Sequence, residues 1–176
     1  MNRSIAAAIR RLRDEEGTTL IETAIASGIL LVMMTGLMSM GAVATIHTEN
    51  EGHLAARTTE YAQDKMEQLL ALAYTDAGSN TVLFPAATNG GTGLAIGGNS
   101  NPSTPVNGYV DWLGPDGGLL GGGTAPPNGW FYERAWAVST LVSGVKQVTV
   151  TVTVRSSIGG TMRAQSTVVA LKAWQF

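Results

Sequence analysis

The longest continuous pattern in the chain is an apolar run. Residues 23–46 hold 24 positions without an ionisable group, and a single acid, Glu22, precedes them. At about 1.5 Å per residue, a helix of this length covers about 36 Å, which is enough to cross a bilayer core of about 30 Å. Burying a carboxylate in hydrocarbon costs about 2.5–3.5 kcal/mol. The pattern therefore predicts a membrane-spanning helix whose one acid calls for a functional explanation.

The helical pattern continues past the apolar run as an amphipathic segment. Residues 47–74 contain no proline, and apolar or small side chains recur there at steps of three or four. The predicted buried face comprises Leu54, Thr58, Tyr61, Ala62, Met66, Leu69, Leu70 and Ala73, and the charged residues predicted to lie largely off it are Arg57, Glu60, Asp64, Lys65 and Glu67. The sequence thus predicts one helix over residues 18–74, about 80 Å long, with an apolar first part (18–46) and an amphipathic second part (47–74).

Residues 75–129 differ sharply in composition from the helix. All six prolines and 14 of the 22 glycines lie here. These residues favour turns, so we expect a region dominated by loops. Short strands are predicted only at Thr81–Phe84 and Gly108–Leu113.

Residues 130–176 have the pattern of a β-sheet. Three strands are predicted at 130–140, 145–156 and 161–174, with turns at 141–144 and 157–160. Alternation predicts that valines occupy one face of the middle strand and threonines the other: Val148, Val150, Val152 and Val154 against Thr149, Thr151 and Thr153. The short connections imply an antiparallel meander, and the amphipathic half of the helix is the natural cover for its valine face. The predicted fold class is α+β, with the apolar half of the helix protruding from this domain.

Four tryptophans complete the predicted domain. Trp112, Trp130, Trp136 and Trp174 could form an exposed binding surface. Because large aromatic side chains in a small domain are usually buried, we expect them to complete the core.

Composition gives no indication of a metal, a nucleotide or a catalytic site. The net charge of -2 provides no electrostatic case for nucleic acid, and cysteine is absent. His47 and His53 fall on different faces of a helix, which is poor geometry for one metal ion. The glycine-rich segments at 89–93 and 121–129 lack the Lys-Ser/Thr ending of phosphate-binding loops. We expect no cofactor and no metal.

The acids outside the helix also match no catalytic pattern. Asp111 and Asp116 have no calcium-loop spacing, so we expect them to be turn acids. Together with Asp76 and Glu133, they resemble ordinary surface acids. The domain beyond the helix has no histidine or cysteine to act as base or nucleophile, and we therefore expect the protein not to be an enzyme.

Flanking charges predict the orientation of the helix. Four arginines precede the apolar run: Arg3, Arg10, Arg11 and Arg13. The positive-inside rule then places the N-terminus in the cytoplasm and exports the rest of the chain. Two simpler interpretations are a secretory signal peptide cleaved after the A-x-A pattern at 42–44 and a plain signal anchor. A signal peptide would be 44 residues long, beyond the usual 15–30, and would leave Glu22 unexplained.

The sequence GTTLIE at residues 17–22 resembles the prepilin cleavage motif of type IV pilins and type II secretion pseudopilins. In that family a peptidase cuts after the glycine and the new N-terminus is methylated. The resemblance implies cleavage between Gly17 and Thr18, so that residues 1–17 are a leader peptide, and N-methylation of Thr18. It makes Glu22 the acid at the fifth mature position, which in a filament pairs with the N-terminal amine of a neighbouring subunit. The family usually has phenylalanine at the position of Thr18 and often a basic residue at that of Glu16.

The resemblance covers residues 17–74 closely and the remainder only in architecture. It implies a structural subunit, of the minor kind, of a type IV pilus-like filament, with Leu20, Ile21 and Glu22 taking part in assembly. The implied partners are prepilin peptidase, other pilin subunits through the N-terminal helix, the assembly platform of the inner membrane, and lipid. The implied location is the inner membrane, followed by the pilus, periplasm or cell surface. The alternatives are a pseudopilin of a secretion or DNA-uptake system and a tip adhesin or ligand-binding minor pilin that uses the Gly/Pro-rich loops.

Overall fold

A computed structural model describes residues 3–83, 85–155 and 164–174, and for residues 3–18 it describes the backbone alone. The chain divides into two compact units, Met1–Ile46 and His47–Phe176. The division falls where the sequence pattern changes from uniformly apolar to amphipathic. The second unit contains all the strands described below.

A single helix, α1, runs over Arg3–Ala71. It begins inside the predicted leader and ends three residues before the predicted end at residue 74. Two lysines of the sheet bind the carbonyls at and just beyond its C-terminus: Lys172 Nζ donates to the Leu70 carbonyl, and Lys146 Nζ donates to that of Tyr74 at 2.7 Å. Cations are favourable at this end of a helix because the last carbonyls have no partner within the helix.

In the part of the chain that the structure describes, six strands form one antiparallel sheet. They are β1 (Gly97–Gly98), β2 (Val110–Leu113), β3 (Leu119–Gly122), β4 (Tyr132–Val142), β5 (Val145–Val154) and β6 (Gln165–Ala173). The order across the sheet is β3-β2-β4-β5-β6, and β1 also pairs with β4. The predicted α+β class and the C-terminal antiparallel meander are confirmed. The turn predicted at 141–144 is limited to residues 143–144 because β4 continues to Val142, and the turn predicted at 157–160 lies outside the described residues.

The Gly/Pro-rich region contributes more to the sheet than its composition predicts. The strand predicted at Gly108–Leu113 is present as β2, but β1 and β3 also come from this region. The strand predicted at Thr81–Phe84 is wrong for residues 81–83, and Phe84 lies outside the described residues. The reason is a side-chain turn: Asn80 Oδ1 accepts a hydrogen bond from the backbone N–H of Val82 at 3.0 Å and bends the chain.

The core forms between the amphipathic part of α1 and the valine face of β5. Val148, Val150, Val152 and Val154 are all buried and belong to one cluster with Ala62, Met66 and Leu69 of the helix. Two of the predicted positions differ: Ala73 is exposed because α1 ends before it, and Lys65, expected to lie off the buried face, is fully buried. The threonine face is not fully solvated either, since Thr151 and Thr153 are buried.

The tryptophans largely follow the prediction that they complete the core. Trp112 and Trp136 are buried, Trp130 is half-buried, and Trp174 is 46% exposed. Gly98 allows β1 to pair closely with the strand that carries Trp136. Its φ is +80°, and a Cβ there would lie 2.4 Å from the Trp136 carbonyl oxygen, so only glycine fits.

Candidate functional site: an exposed apolar helix and a buried charge cluster

The apolar part of α1 is exposed along its whole described length. Every residue from 19 to 46 is exposed, including Leu20 at 71%, Leu37 at 70% and Met38 at 76%. Monomeric soluble proteins rarely expose so large a continuous apolar surface. This helix is long and apolar enough to cross a membrane. This surface is consistent with membrane anchoring.

Four hydroxyl groups in this segment bind to the backbone of their own helix, those of Thr23, Thr35, Ser39 and Thr45. Thr23 Oγ1 donates to the carbonyl of Thr19 at 2.8 Å, and Thr35 Oγ1 donates to that of Val32 at 2.9 Å. Ser39 donates to the Thr35 carbonyl in the same way, at 2.9 Å. Polar groups in hydrocarbon must be satisfied within the protein, and these local bonds satisfy them without any partner from outside. The segment is thus chemically suited to an apolar surrounding at these positions.

The predicted assembly residues lie at the start of this segment. Leu20, Ile21 and Glu22 are exposed on α1, with Ile21 at 62%. Gly17 and Thr18, the predicted cleavage and methylation positions, lie in the helical backbone, and the side chain of Thr18 is outside what the structure describes. The structure thus places the carboxylate of Glu22 on a surface that is otherwise apolar.

A second feature, which the sequence did not predict, lies in the unit His47–Phe176, called the globular unit below. Asp111 on β2 is fully buried and binds two cations. Lys65 Nζ of α1 donates to its Oδ2 at 2.8 Å. Arg134 of β4 donates to Oδ1 through Nε at 2.6 Å and to Oδ2 through Nη2 at 3.0 Å. Arg134 also bonds Asp64 Oδ2 at 2.9 Å, where the carboxylate is 55% exposed. The four residues tie α1 to the centre of the sheet.

Two further contacts hold Lys65 in this cluster. Its ammonium group lies 4.1 Å from the centre of the Trp136 ring and donates to the Thr81 carbonyl. The first is a cation–π contact, which gains strength where water is excluded. The hydrogen bond to Thr81 holds the loop that follows the helix in place. Lys65 thereby links the helix, the core tryptophan and the first loop of the Gly/Pro-rich region.

Charge compensation within the cluster determines its protonation. Burial lowers the pKa of Lys65 to about 8, against the opposing attraction of Asp111. Burial alone would raise the pKa of Asp111, but the charges and hydrogen bonds of Lys65 and Arg134 outweigh it and hold that pKa below its ordinary value. At neutral pH both lysine and arginine are therefore cationic and Asp111 is ionised. With Asp64, the cluster contains two positive and two negative charges.

The structure corrects two of the expectations for these acids. Asp111 is a buried strand residue rather than a turn acid, and Glu133 is 7% exposed rather than a surface acid. Asp116 is exposed in a turn, as expected, and accepts the N–H of Gly118 at 3.1 Å. Because Asp111 is fully buried and already accepts three hydrogen bonds from two cations, we interpret it as a structural link between α1 and the sheet. Within the described residues, no three His, Cys, Asp or Glu side chains are placed to hold a metal ion.

The chain was also compared with known proteins. No protein-family model, no curated protein and no solved structure matches it.

Proposed function

We propose that the protein is a structural subunit of a type IV pilus-like filament. It is inserted in the inner membrane through the apolar part of α1, cut between Gly17 and Thr18 by prepilin peptidase and then assembled through the same helix. The observation that carries the proposal is the fully exposed apolar segment 19–46 with one carboxylate, Glu22, near its start.

What covers the exposed apolar segment changes during assembly. Before assembly, lipid covers it, since the helix meets the length and composition of a membrane span. In a filament, the same surface is covered by the apolar helices of other subunits. Lipid tails are as apolar as leucine side chains, so the transfer from lipid to helix bundle changes little in hydrophobic free energy. Something other than hydrophobicity must fix the position of each subunit.

Glu22 supplies that positional signal. Cleavage after Gly17 creates an α-amine on Thr18, whose ordinary pKa of about 7.7–8.0 leaves much of it charged at neutral pH. A carboxylate and an amine from two subunits form a pair in the apolar bundle. A buried charge left without a partner costs about 3–5 kcal/mol, so subunits out of register are rejected. The pair acts through specificity more than through net stabilisation.

Glu22→Ala tests this role. In cells that make the filament, the variant should be inserted and processed as the wild type is, since removing a charge favours membrane insertion. It should be missing from filaments sheared from the cell surface, measured by immunoblotting of the membrane and filament fractions. Normal incorporation of the variant would contradict the proposal.

Glu67→Ala is the matched control. Glu67 is an exposed acid on the same helix, but it lies in the amphipathic part, outside the apolar segment. This variant should enter filaments at the wild-type level. Equal loss of both variants would mean that the effect is not specific to an acid in the apolar segment.

A further inference from the structure

Three Asn-Gly dipeptides lie in the Gly/Pro-rich region of the chain. They are Asn89-Gly90, Asn107-Gly108 and Asn128-Gly129, and all three asparagines are exposed. Asparagine is among the residues that are chemically labile in proteins. A following glycine favours attack of its backbone nitrogen on the asparagine side chain, because glycine has no Cβ to obstruct the approach. The structure distinguishes the three dipeptides by how firmly the backbone around each is held.

Two of the dipeptides occupy the central positions of the same kind of turn. The turn of residues 106–109 is closed by a hydrogen bond of 2.9 Å from the N–H of its fourth residue to the carbonyl of its first, and the turn of residues 127–130 by one of 3.4 Å. The glycine φ is +83° in the first turn and +80° in the second, and neither asparagine has a positive φ. These features are characteristic of a type II turn. The same dipeptide can therefore be compared in two surroundings.

The turn of residues 106–109 is held by tertiary contacts. Thr92 Oγ1 donates to the Gly108 carbonyl at 2.8 Å, and a Cβ on Gly108 would lie 2.6 Å from Thr92 Cγ2. The next residue, Tyr109, is buried, and its hydroxyl donates to the Ala95 carbonyl at 3.0 Å. Any rotation that brings the nitrogen of Gly108 onto the side chain of Asn107 must break these contacts.

The dipeptide at 89–90 is also held, through the residues on both sides of it. Ala87 exchanges two backbone hydrogen bonds with Asn80, at 2.7 and 3.2 Å, and the N–H of Gly91 donates to the Gly78 carbonyl at 3.0 Å. The backbone of Gly91 is packed so closely that a Cβ there would lie 2.3 Å from the Ser79 carbonyl oxygen. Little freedom remains for the peptide between these fixed points.

The turn of residues 127–130 has much less support. Asn128 and Gly129 are both exposed, and apart from adjacent residues no described atom lies within 4 Å of the place that a Cβ on Gly129 would take. Among the described residues, the closing bond of the turn, at 3.4 Å, is the only hydrogen bond made by the segment 124–129. Segments with exposed backbone and few hydrogen bonds open locally at a low cost in free energy. The backbone here can therefore rotate into the geometry of attack more readily than at the other two dipeptides.

We propose that Asn128 is a site of spontaneous modification to isoaspartate. The backbone nitrogen of Gly129 gives its proton to water and forms a bond to Cγ of Asn128, while the bond from Cγ to the side-chain nitrogen breaks and ammonia leaves. Water then opens the resulting succinimide at one of its two carbonyls. Opening at the backbone carbonyl gives isoaspartate, and opening at the side-chain carbonyl gives aspartate.

The modification changes both charge and chain path on an exposed turn. Either product carries a carboxylate where Asn128 was neutral, and isoaspartate also routes the backbone through the former side chain. The turn lies in the unit His47–Phe176, so the reaction does not depend on processing or assembly of the N-terminal helix.

The test follows the full chain in detergent micelles during incubation at neutral pH. Samples are denatured and digested with chymotrypsin, which separates the three dipeptides by cutting after Leu94 and Tyr109. Mass spectrometry measures the conversion of each asparagine, and chromatography against synthetic standards separates isoaspartate from aspartate. One hydrogen bond changes a local opening equilibrium about two- to tenfold, so Asn128 should convert at least about threefold faster than Asn107 and should yield isoaspartate. Equal or slower conversion of Asn128, or aspartate as its only product, would overturn the proposal.

Two controls show whether the fold sets this ranking. In the chain unfolded by urea, the three dipeptides should convert at similar rates, and a threefold preference for Asn128 that persisted there would refute the structural explanation. Thr92→Val keeps the size of the side chain but removes the donor to Gly108, so it should accelerate Asn107 about two- to tenfold and leave Asn128 unchanged. No acceleration of Asn107 would contradict its protection by Thr92. The wild-type comparison in folded and unfolded chain stands even if this variant fails to fold.

Discussion

Replacing Asp111 by asparagine should destabilise the globular unit strongly. The carboxylate is fully buried and is bound by Lys65 at 2.8 Å and by Arg134 at 2.6 and 3.0 Å. Asparagine has nearly the same size and shape, so packing is preserved while the negative charge is lost. Two buried cations then remain with one partner, Asp64, whose side chain is 55% exposed.

The expected magnitude follows from this burial. Removing one member of a buried, hydrogen-bonded ion pair costs about 3–5 kcal/mol. The free energy of unfolding of a domain is usually about 5–15 kcal/mol, so this loss is a large fraction of it. Asp64→Asn is the matched control, because it removes an acid from the same Arg134 at 2.9 Å but on the exposed side. Exposed ion pairs contribute about 0–1 kcal/mol, and the control should lose no more than that.

Urea unfolding of the full chain in detergent micelles measures both variants. All four tryptophans lie at positions 112–174, so their fluorescence reports on the globular unit and not on the apolar helix. Since the pKa of Asp111 lies below its ordinary value of 3.8, its contribution is present above that pH and is lost as the pH falls further. The difference between wild type and Asp111→Asn should shrink accordingly in acid. A loss below about 1 kcal/mol at pH 7 for Asp111→Asn, or an equal loss for Asp64→Asn, would refute the reasoning.

Three further changes give independent tests. Gly17→Val should block processing by placing a bulky side chain at the cut, so that intact mass shows the full-length chain; a trimmed product would contradict the cleavage assignment. The pKa of Lys65 is about 8 in the folded chain and ordinarily 10.5. Between these two pH values the unfolded chain therefore keeps a proton on Lys65 that the folded chain has lost. The free energy of unfolding of the wild type, compared with that of Lys65→Met, should therefore rise as the pH rises through that window. The expected rise is on the order of 1–3 kcal/mol, measured by urea unfolding. Leu69→Ala, in the buried core, should cost about 2–5 kcal/mol, whereas Leu37→Ala on the exposed apolar segment should leave the same fluorescence transition unchanged.

The regular parts of the fold could be predicted because their signals are local and periodic. The valines at 148–154 alternate strictly with polar residues, and β5 buries them as the alternation indicates. The helical spacing of Ala62, Met66 and Leu69 likewise predicts the face that packs in the core. A period of two or of about 3.6 residues gives both the element and its buried side.

The charge cluster could not be predicted because its partners are far apart in sequence. Lys65 lies among other charged residues on the helix, and its partner Asp111 is 46 positions away. Asp111 in turn meets Arg134 only through the pairing of β2 with β4. No local pattern separates a lysine that is paired in the core from one in solvent.

The predicted assembly site lies in the part of the molecule where sequence is most informative. The GTTLIE motif and the apolar run are continuous in the chain, so no tertiary contact was needed to find them. The structure adds that residues 19–46 are exposed and helical. It also shows that their hydroxyls are bonded to the helix backbone at Thr23, Thr35 and Ser39.

The most direct test of the filament proposal is N-terminal sequencing combined with intact mass of the protein purified from its native membrane. The proposal predicts a chain that begins at N-methylated Thr18. A chain beginning at Met1 would indicate a signal anchor, and one beginning at Thr45 would indicate an ordinary secreted protein. Either of these two results would contradict prepilin processing and, with it, assembly through a pair between Glu22 and the new amine.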